Sequence, residues 1–252
     1  VNSNGAVTGR MTHSSPNVAN VPASYSTYGE ECRSCWIVPK GYKLVGIDAS
    51  GLELRMLAHY MDDAEYTDVL LNGDIHTVNM KAAGLDSRSQ SKTFIYGFLY
   101  GAGDAKIGQI VNGSAREGKR LKEKFLNSTP ALKKLREDVV SASERGFLRG
   151  LDKRKLFCRS PHSAVNTLLQ GAGAIVMKKA LCILNEYAIL WGIDYKFVGN
   201  IHDEFQVEVI AHQAEQFGKL AVASIVAAGI ELGLRCPLDG DYAIGNNWAE
   251  TH

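Results

Sequence analysis

Hydrophobic and polar positions along this chain fall into blocks whose period switches between about 3.6 and two. Residues 1–30 show neither period; Ser, Asn, Gly and Pro dominate them and predict extended loop. A short β-prone run at 42–47 ends at Asp48, and Leu52, Leu54, Met56, Leu57 and Ala58 then predict a helix over 51–61. Strand, sharp turn and helix in that order display Asp48 at a strand's end. Helical patterns follow at 74–84, 87–99, 103–112, 115–127 and 130–145, the last with Pro130 placed for a first helical position. The stretch 146–159 predicts a β-hairpin turning near Asp152 and Lys153. A long helix is expected over 163–190, then strands at 195–198 and 205–210. In the second strand Phe205, Val207 and Val209 alternate with Gln206 and Glu208, as in a half-buried hairpin strand. A helix over 212–233 precedes a short ending. Without repeats or low-complexity tracts, the expected fold class is α+β.

The 252 residues are 45% hydrophobic and 22% charged, ordinary globular values that exclude bulk disorder and fibrous repeats. No apolar run is expected to reach the roughly 18–20 residues of a membrane span. The first residues show no signal-peptide pattern, so a reduced cytoplasmic setting is the expectation. The Val1 start suggests a fragment, a processed product or an unrecorded start. Five cysteines are odd in number and scattered; Cys32 and Cys35 have zinc or redox spacing, with no second pair to complete a site. The net charge of +1 predicts no particular partner, but it hides an asymmetry. Residues 116–159 carry 14 Lys and Arg against 6 Asp and Glu, whereas residues 201–252 carry 2 against 8. A basic middle beside an acidic end suits an enzyme holding a polyanion with one part and divalent metal with another; a solvated helix face is the plainer reading.

Two constellations carry candidate chemistry. Asp48 and Asp203 each stand at the edge of a predicted strand. If those strands are neighbours, the two carboxylates form a hard-oxygen site of the kind that holds Mg²⁺ together with substrate phosphates. Asp as a turn former is the alternative. Arg88, Lys92, Tyr96 and Tyr100 recur every four residues, which on a helix places them along one face. Two cations followed by two aromatics can grip a triphosphate at one end and a sugar and base at the other. A solvated basic turn followed by core tyrosines fits the same spacing.

These residues also carry a family resemblance. Asp48-Ala49-Ser50-Gly51-Leu52-Glu53-Leu54-Arg55 resembles motif A of family A DNA polymerases, the 88–101 stretch resembles motif B, and His202-Asp203-Glu204 resembles motif C. Thr8-Gly9-Arg10, Pro16-Asn17, Asn20 and Pro22 are similar to the segment that precedes motif A. The resemblance covers residues 5–252 in the family's order, and the wording of motif A points to the bacteriophage replicative branch.

The resemblance implies an antiparallel palm sheet that carries the acidic residues, with an inserted, mostly helical fingers subdomain. Its boundaries would be palm at 1–72 and 159–252 and fingers at 73–158, with thumb and exonuclease absent. It implies template-directed addition of dNTPs to a primer 3′-hydroxyl. Asp48 and Asp203, with the Ala49 carbonyl, would hold two Mg²⁺ ions, and Glu204 would be an accessory catalytic carboxylate. Arg88 and His76 would contact the β- and γ-phosphates, and Lys92 would donate a proton to the leaving pyrophosphate. Glu53 would exclude a ribose 2′-hydroxyl. Tyr96 would lie by the incoming sugar, where a Tyr goes with acceptance of dideoxynucleotides. Tyr100 would stack near the template base; Arg10, Asn166, Gln170 and His202 would track primer and template. The basic 116–159 region would add phosphate contacts whose affinity falls with salt. Partners implied are primer–template DNA, dNTPs and a thumb- or exonuclease-bearing segment or chain, with no membrane. A non-catalytic DNA-binding palm–fingers module is the rival reading, and a single-subunit RNA polymerase the nearest other enzyme.

Overall fold

The structure is a computed structural model that describes residues 1–251. The chain forms two compact units, one of residues 1–52 and 171–252, the other of residues 53–170. The inserted unit is wider at both ends than the expected 73–158.

The first unit opens with loop and a short helix, α1 (Gly29–Ser34). Cys32 and Cys35 are free exposed thiols on and just after α1, and the intervening Arg33 is buried, so their spacing reflects one helical turn. Strand β1 (Tyr42–Ala49) is the centre of the architecture. It is followed by helix α2 (Leu52–Met61), whose Leu54, Met56, Leu57 and Ala58 are buried as the periodicity requires.

The inserted unit continues with α3 (Ala64–Asn72), α4 (Ile75–Ala83), α5 (Arg88–Leu99), α6 (Asp104–Gln109), α7 (Ala115–Ser128) and α8 (Pro130–Ser143). Ser87 and Gln90 form a reciprocal capping box that starts α5. Phe94, Ile95 and Leu99 are its buried side, and Phe94 and Phe98 meet Phe125 of α7 edge-on at 5.3 and 5.4 Å between ring centres. Strands β2 (Phe147–Arg149) and β3 (Lys155–Phe157) form the expected hairpin. Helix α3 is unforeseen; its start depends on Asp63 accepting from the Tyr66 N–H.

Helix α9 (Ala164–Leu190) spans the junction at Gln170. The expectation that no segment is long and apolar enough to cross a membrane is corrected here: residues 161–190 are, by length and composition, and 72% of their most apolar window is buried, as in a core helix. Strands β4 (Tyr195–Ile201) and β5 (Glu204–Ile210), helix α10 (Ala214–Glu231) and strand β6 (Gly240–Gly245) complete the first unit. The antiparallel sheet runs β4-β5-β1-β6.

Its two faces differ sharply. Val45, Ile47, Phe205, Val207 and Val209 are at most 1% exposed and make one wholly apolar face. The opposite face carries Asp48, Glu204, Gln206 and Glu208. The C-terminal turn at Trp248–Thr251 closes onto this polar face at Gly46, where a Cβ would sit 2.3 Å from the Thr251 carbonyl oxygen. Strand β6 was hidden in the sequence because Gly, Asp and Ala give it little β propensity; its pairing with β1 makes it a strand.

Candidate active site

Strand β1 is paired on both sides, and the register sets Asp48 opposite Glu204 of β5 and opposite Asp241 of β6. Ile201 pairs with Glu204, so His202 and Asp203 form a two-residue hairpin turn, with His202 in the left-handed region at φ 58°. The ladder closes at this turn: the Ala49 N–H donates to the Asp203 carbonyl at 3.3 Å. Backbone hydrogen bonds therefore bring together the two acidic residues that the sequence singled out. Asp48 is exposed and Asp203 half-buried.

Glu204 differs. It is 4% exposed, and one carboxylate oxygen accepts from the Trp248 indole N–H at 2.9 Å and also from the Gln206 amide. Thr251 in turn donates to the Gln206 carbonyl oxygen at 2.9 Å. The Arg33 guanidinium lies 4.4 Å above the Trp248 ring; burial lowers its pKa, and the charge of Glu204 works against that shift. Glu204 is thus anchored inward.

Arg10 and His202 line one small depression with Lys178 and Asn200. His13, which the sequence reading overlooked, lies within electrostatic reach of His202. Burial chiefly, then the chain's amino terminus and His202, lower its pKa. Asp241 was also missed, for want of any signal for β6; it accepts from the Ser50 hydroxyl at 3.0 Å.

In the inserted unit, Arg88 and Lys92 are exposed and Tyr96 half-buried along one side of α5, and Tyr100 caps its C-terminal end. The Arg88 Nε donates to Asp74 at 2.9 Å. Asp74 also caps α4, accepting from the His76 N–H at 3.1 Å and from the Thr77 hydroxyl at 2.7 Å. Arg88 first, then Thr77, hold the Asp74 carboxyl well below the usual carboxylate range. Sequence reading passed over Asp74, though an Asp two residues before His76 and ahead of an apolar run is a cap signal.

The His76 ring centre is 6.5 Å from that of Tyr96. Burial lowers the His76 pKa, and the charges of Arg88 and Lys92 lower it further, so its imidazole is neutral at pH 7. Its Nδ1 is buried without a hydrogen-bond partner. Tyr96 and Tyr100 follow each other at 6.3 Å, and the Tyr100 hydroxyl donates to the Glu53 carboxylate, with both oxygens at 2.7 Å. Glu53, His76, Arg88, Tyr96 and Tyr100 are thereby linked within one unit, with Lys92 one turn from Arg88. Asn166 and Gln170 are half-buried, four residues apart on α9.

No group of three or more His, Cys, Asp or Glu side chains is gathered as a metal cage among the described residues. Two carboxylate residues at abutting strand ends are nonetheless a donor set that fits Mg²⁺, which keeps most of its shell for water and phosphate oxygens.

A sequence profile of DNA polymerase family A matches residues 1–250. The chain is 45% identical to the DNA-directed DNA polymerase of Enterobacteria phage T3 and 44% identical to that of Escherichia phage T7, in each case over all of this chain and 40% of the relative. DNA polymerase I of Pseudomonas aeruginosa is 26% identical, over 98% of this chain and 29% of its own length. The chain thus spans about two-fifths of its phage relatives. Its fold matches the POL domain of Pol1 from M. smegmatis, solved with DNA primer-template and dNTP, at a TM-score of 0.88 and 24% identity, over 99% of this chain and 47% of that one. With a full-length profile match and phage relatives at these identities, the chain belongs to DNA polymerase family A.

Proposed function

We propose that this chain is the palm-and-fingers part of a phage-type DNA-directed DNA polymerase, acting in the cytoplasm of the host cell. The reading rests on one observation above all: the β1–β5 register and the Ala49–Asp203 hydrogen bond hold two acidic residues at abutting strand ends. The unit of residues 1–52 and 171–252 corresponds to most of the palm, and residues 73–158 to the fingers. The greater length of the relatives supports a thumb- and exonuclease-bearing segment or chain as a further partner.

Asp48, Asp203 and the Ala49 carbonyl would hold two Mg²⁺ ions. Such ions lower the pKa of an attacking hydroxyl and offset charge on the phosphate under attack. A bond forms from the primer 3′-oxygen to the α-phosphorus as the bond to the bridging oxygen breaks, and pyrophosphate leaves. Lys92 gives a proton to that leaving group, and Arg88 binds its phosphates. Because Asp74 takes only the Arg88 Nε–H, the two terminal amino groups keep four donors for phosphate oxygens. Neutral His76 offers a ring N–H to the same anion without placing a third cation beside Arg88 and Lys92.

Glu53 is held by the Tyr100 hydroxyl where it would bar a ribose 2′-oxygen, which favours dNTPs over rNTPs. Tyr96 borders the sugar. Tyr100, Arg10, Asn166, Gln170 and His202 contact the primer and template, where minor-groove acceptors shared by every correct pair allow geometry to be tested without reading sequence.

Primer extension by the 252-residue chain with Mg²⁺ and dNTPs tests the reading beside an Asp203→Asn variant. Extension that falls at least about a thousandfold in the variant, with unchanged thermal stability, is the expected result. Equal extension by both chains would sink it.

A further inference from the structure

The first residues of β6 grip the turn in which β1 ends. Their register sets Gly240 opposite Ala49 and Asp241 opposite Asp48. A Cβ on Gly240 would sit 2.9 Å from the Asp48 carbonyl oxygen and 2.8 Å from Cδ1 of Ile225, so the strand can start this close only at a glycine. The turn itself is held at Ser50 through two donors. The Ser50 N–H donates to the Asp239 carbonyl at 3.0 Å, and the Ser50 hydroxyl donates to the Asp241 carboxylate, also at 3.0 Å. Gly51 follows with φ 58°, and α2 begins at the next residue.

The second of these ties is not what sheet stability alone would select. Residues directly opposite each other share a face, so Asp48 and Asp241 stand side by side, both exposed. Like charges in that position destabilise a strand pair. A carboxylate is, however, a strong acceptor for a hydroxyl, and the hydroxyl it takes belongs to the peptide that follows Ala49. That peptide is planar and trans, so its N–H and its C=O point opposite ways. With the Ser50 N–H aimed at β6, the Ala49 carbonyl is aimed away from β6. It faces the side of β1 on which the Ala49 N–H donates to the Asp203 carbonyl.

We propose that Asp241 and Ser50 are positioning residues that hold the Ala49 carbonyl on the Asp203 side of β1, in register with Asp48 and Asp203. Asp241 acts through the Ser50 hydroxyl, by fixing the plane of one peptide. This role rests on the polymerase reading, in which the Ala49 carbonyl helps to hold Mg²⁺; the Asp241–Ser50 tie does not.

The test compares Asp241→Ala, Ser50→Ala and Asp241→Asn in the full chain, first without DNA or dNTPs. Amide hydrogen exchange at Ser50 is expected to quicken roughly 2- to 10-fold in each alanine variant, the range of one hydrogen bond's net worth. Mn²⁺ affinity, read from the electron paramagnetic resonance of the free ion, should fall by a similar factor. Asp241→Asn keeps an acceptor for the Ser50 hydroxyl and should lie nearer the wild type than Asp241→Ala in both measurements. The Ser50→Ala, Asp241→Ala double variant should be no worse than either single one, since both remove the same bond. In primer extension the alanine variants should need more Mg²⁺ for half-maximal rate and keep the dNTP KM at saturating Mg²⁺. Wild-type metal dependence in both alanine variants overturns the proposal, whether or not exchange quickens, because the tie would then be structural alone. So does an Asp241→Asn as impaired as Asp241→Ala, because Asp241 would then act through its charge. A wild-type chain that extends no primer, with Mn²⁺ affinity still falling in the alanine variants, keeps this inference and removes the polymerase reading.

Discussion

The two halves of the candidate machinery are built by different physics. In the sheet unit, Asp48 and Asp203 are placed by main-chain hydrogen bonds and by a buried prop in which Glu204 and Trp248 are both 4% exposed. In the helical unit, the Arg88–Asp74 pair that orients the cations is 59% and 43% exposed, and the Glu53–Tyr100 pair also faces solvent. A buried carboxylate with its donors removed has nowhere to go, whereas an exposed pair exchanges freely with water. The carboxylate site is therefore rigid and intolerant, and the cation face is adjustable and sensitive to salt and pH. On the polymerase reading, fixed carboxylates and adjustable cations would suit a reaction repeated on four different nucleotides.

Substitution at Trp248 should break the rigid side most severely. Trp248→Ala is expected to cost about 3–5 kcal/mol in urea unfolding, through the cavity beneath Arg33. Trp248→Phe keeps an aromatic ring but removes the pyrrole half that carries the N–H, so about 1–3 kcal/mol is expected, chiefly from the donor lost to Glu204. In steady-state primer extension, Trp248→Phe should lower kcat and raise the Mg²⁺ requirement while leaving the dNTP KM unchanged. A shift in KM alone would show that the prop does not act through the Asp203 turn.

Next in size, Tyr100→Phe should leave stability within about 0.5 kcal/mol and reduce discrimination against rNTPs by about tenfold, since one positioning hydrogen bond on Glu53 is gone. A competition assay with paired dNTP and rNTP reads this directly, and unchanged discrimination would show that Glu53 keeps its place without Tyr100.

The smallest effect is expected at Asp74. Asp74→Ala frees Arg88 and should raise the dNTP KM roughly two- to fivefold, more at low salt than at high. Because the Asp74 pKa is lowered in the folded state, the unfolded chain binds the extra proton as pH falls below the ordinary carboxylate value. Its contribution to stability is full above that value and is lost as pH drops towards the lowered one. The acid limb of a pH–stability curve should accordingly be flatter in Asp74→Ala, and an identical limb would show that the Arg88 pair adds nothing to folding.

Local signals carried much of this architecture. The α5 face is read directly from Arg88, Lys92, Tyr96 and Tyr100, because side chains four apart on a helix share a side whatever surrounds them. The β2–β3 hairpin and α10 were legible for the same reason, each element needing only its own period and turn residues. The family was legible through three short motifs in order.

What the sequence could not supply came from partners distant along the chain. Strand β6 has little propensity of its own and is held by its pairing with β1, so Asp241 was invisible. Glu204 reads as a sibling of Asp203, yet Asp203 lies in the turn and Glu204 in the strand, and the Trp248 N–H and the Gln206 amide fix Glu204 inward. The sequence by itself determined most of the elements, the α5 face and the family. The tertiary structure decided which acidic residues meet and which one is buried, because strand register and close approach are settled between segments and leave no period in either.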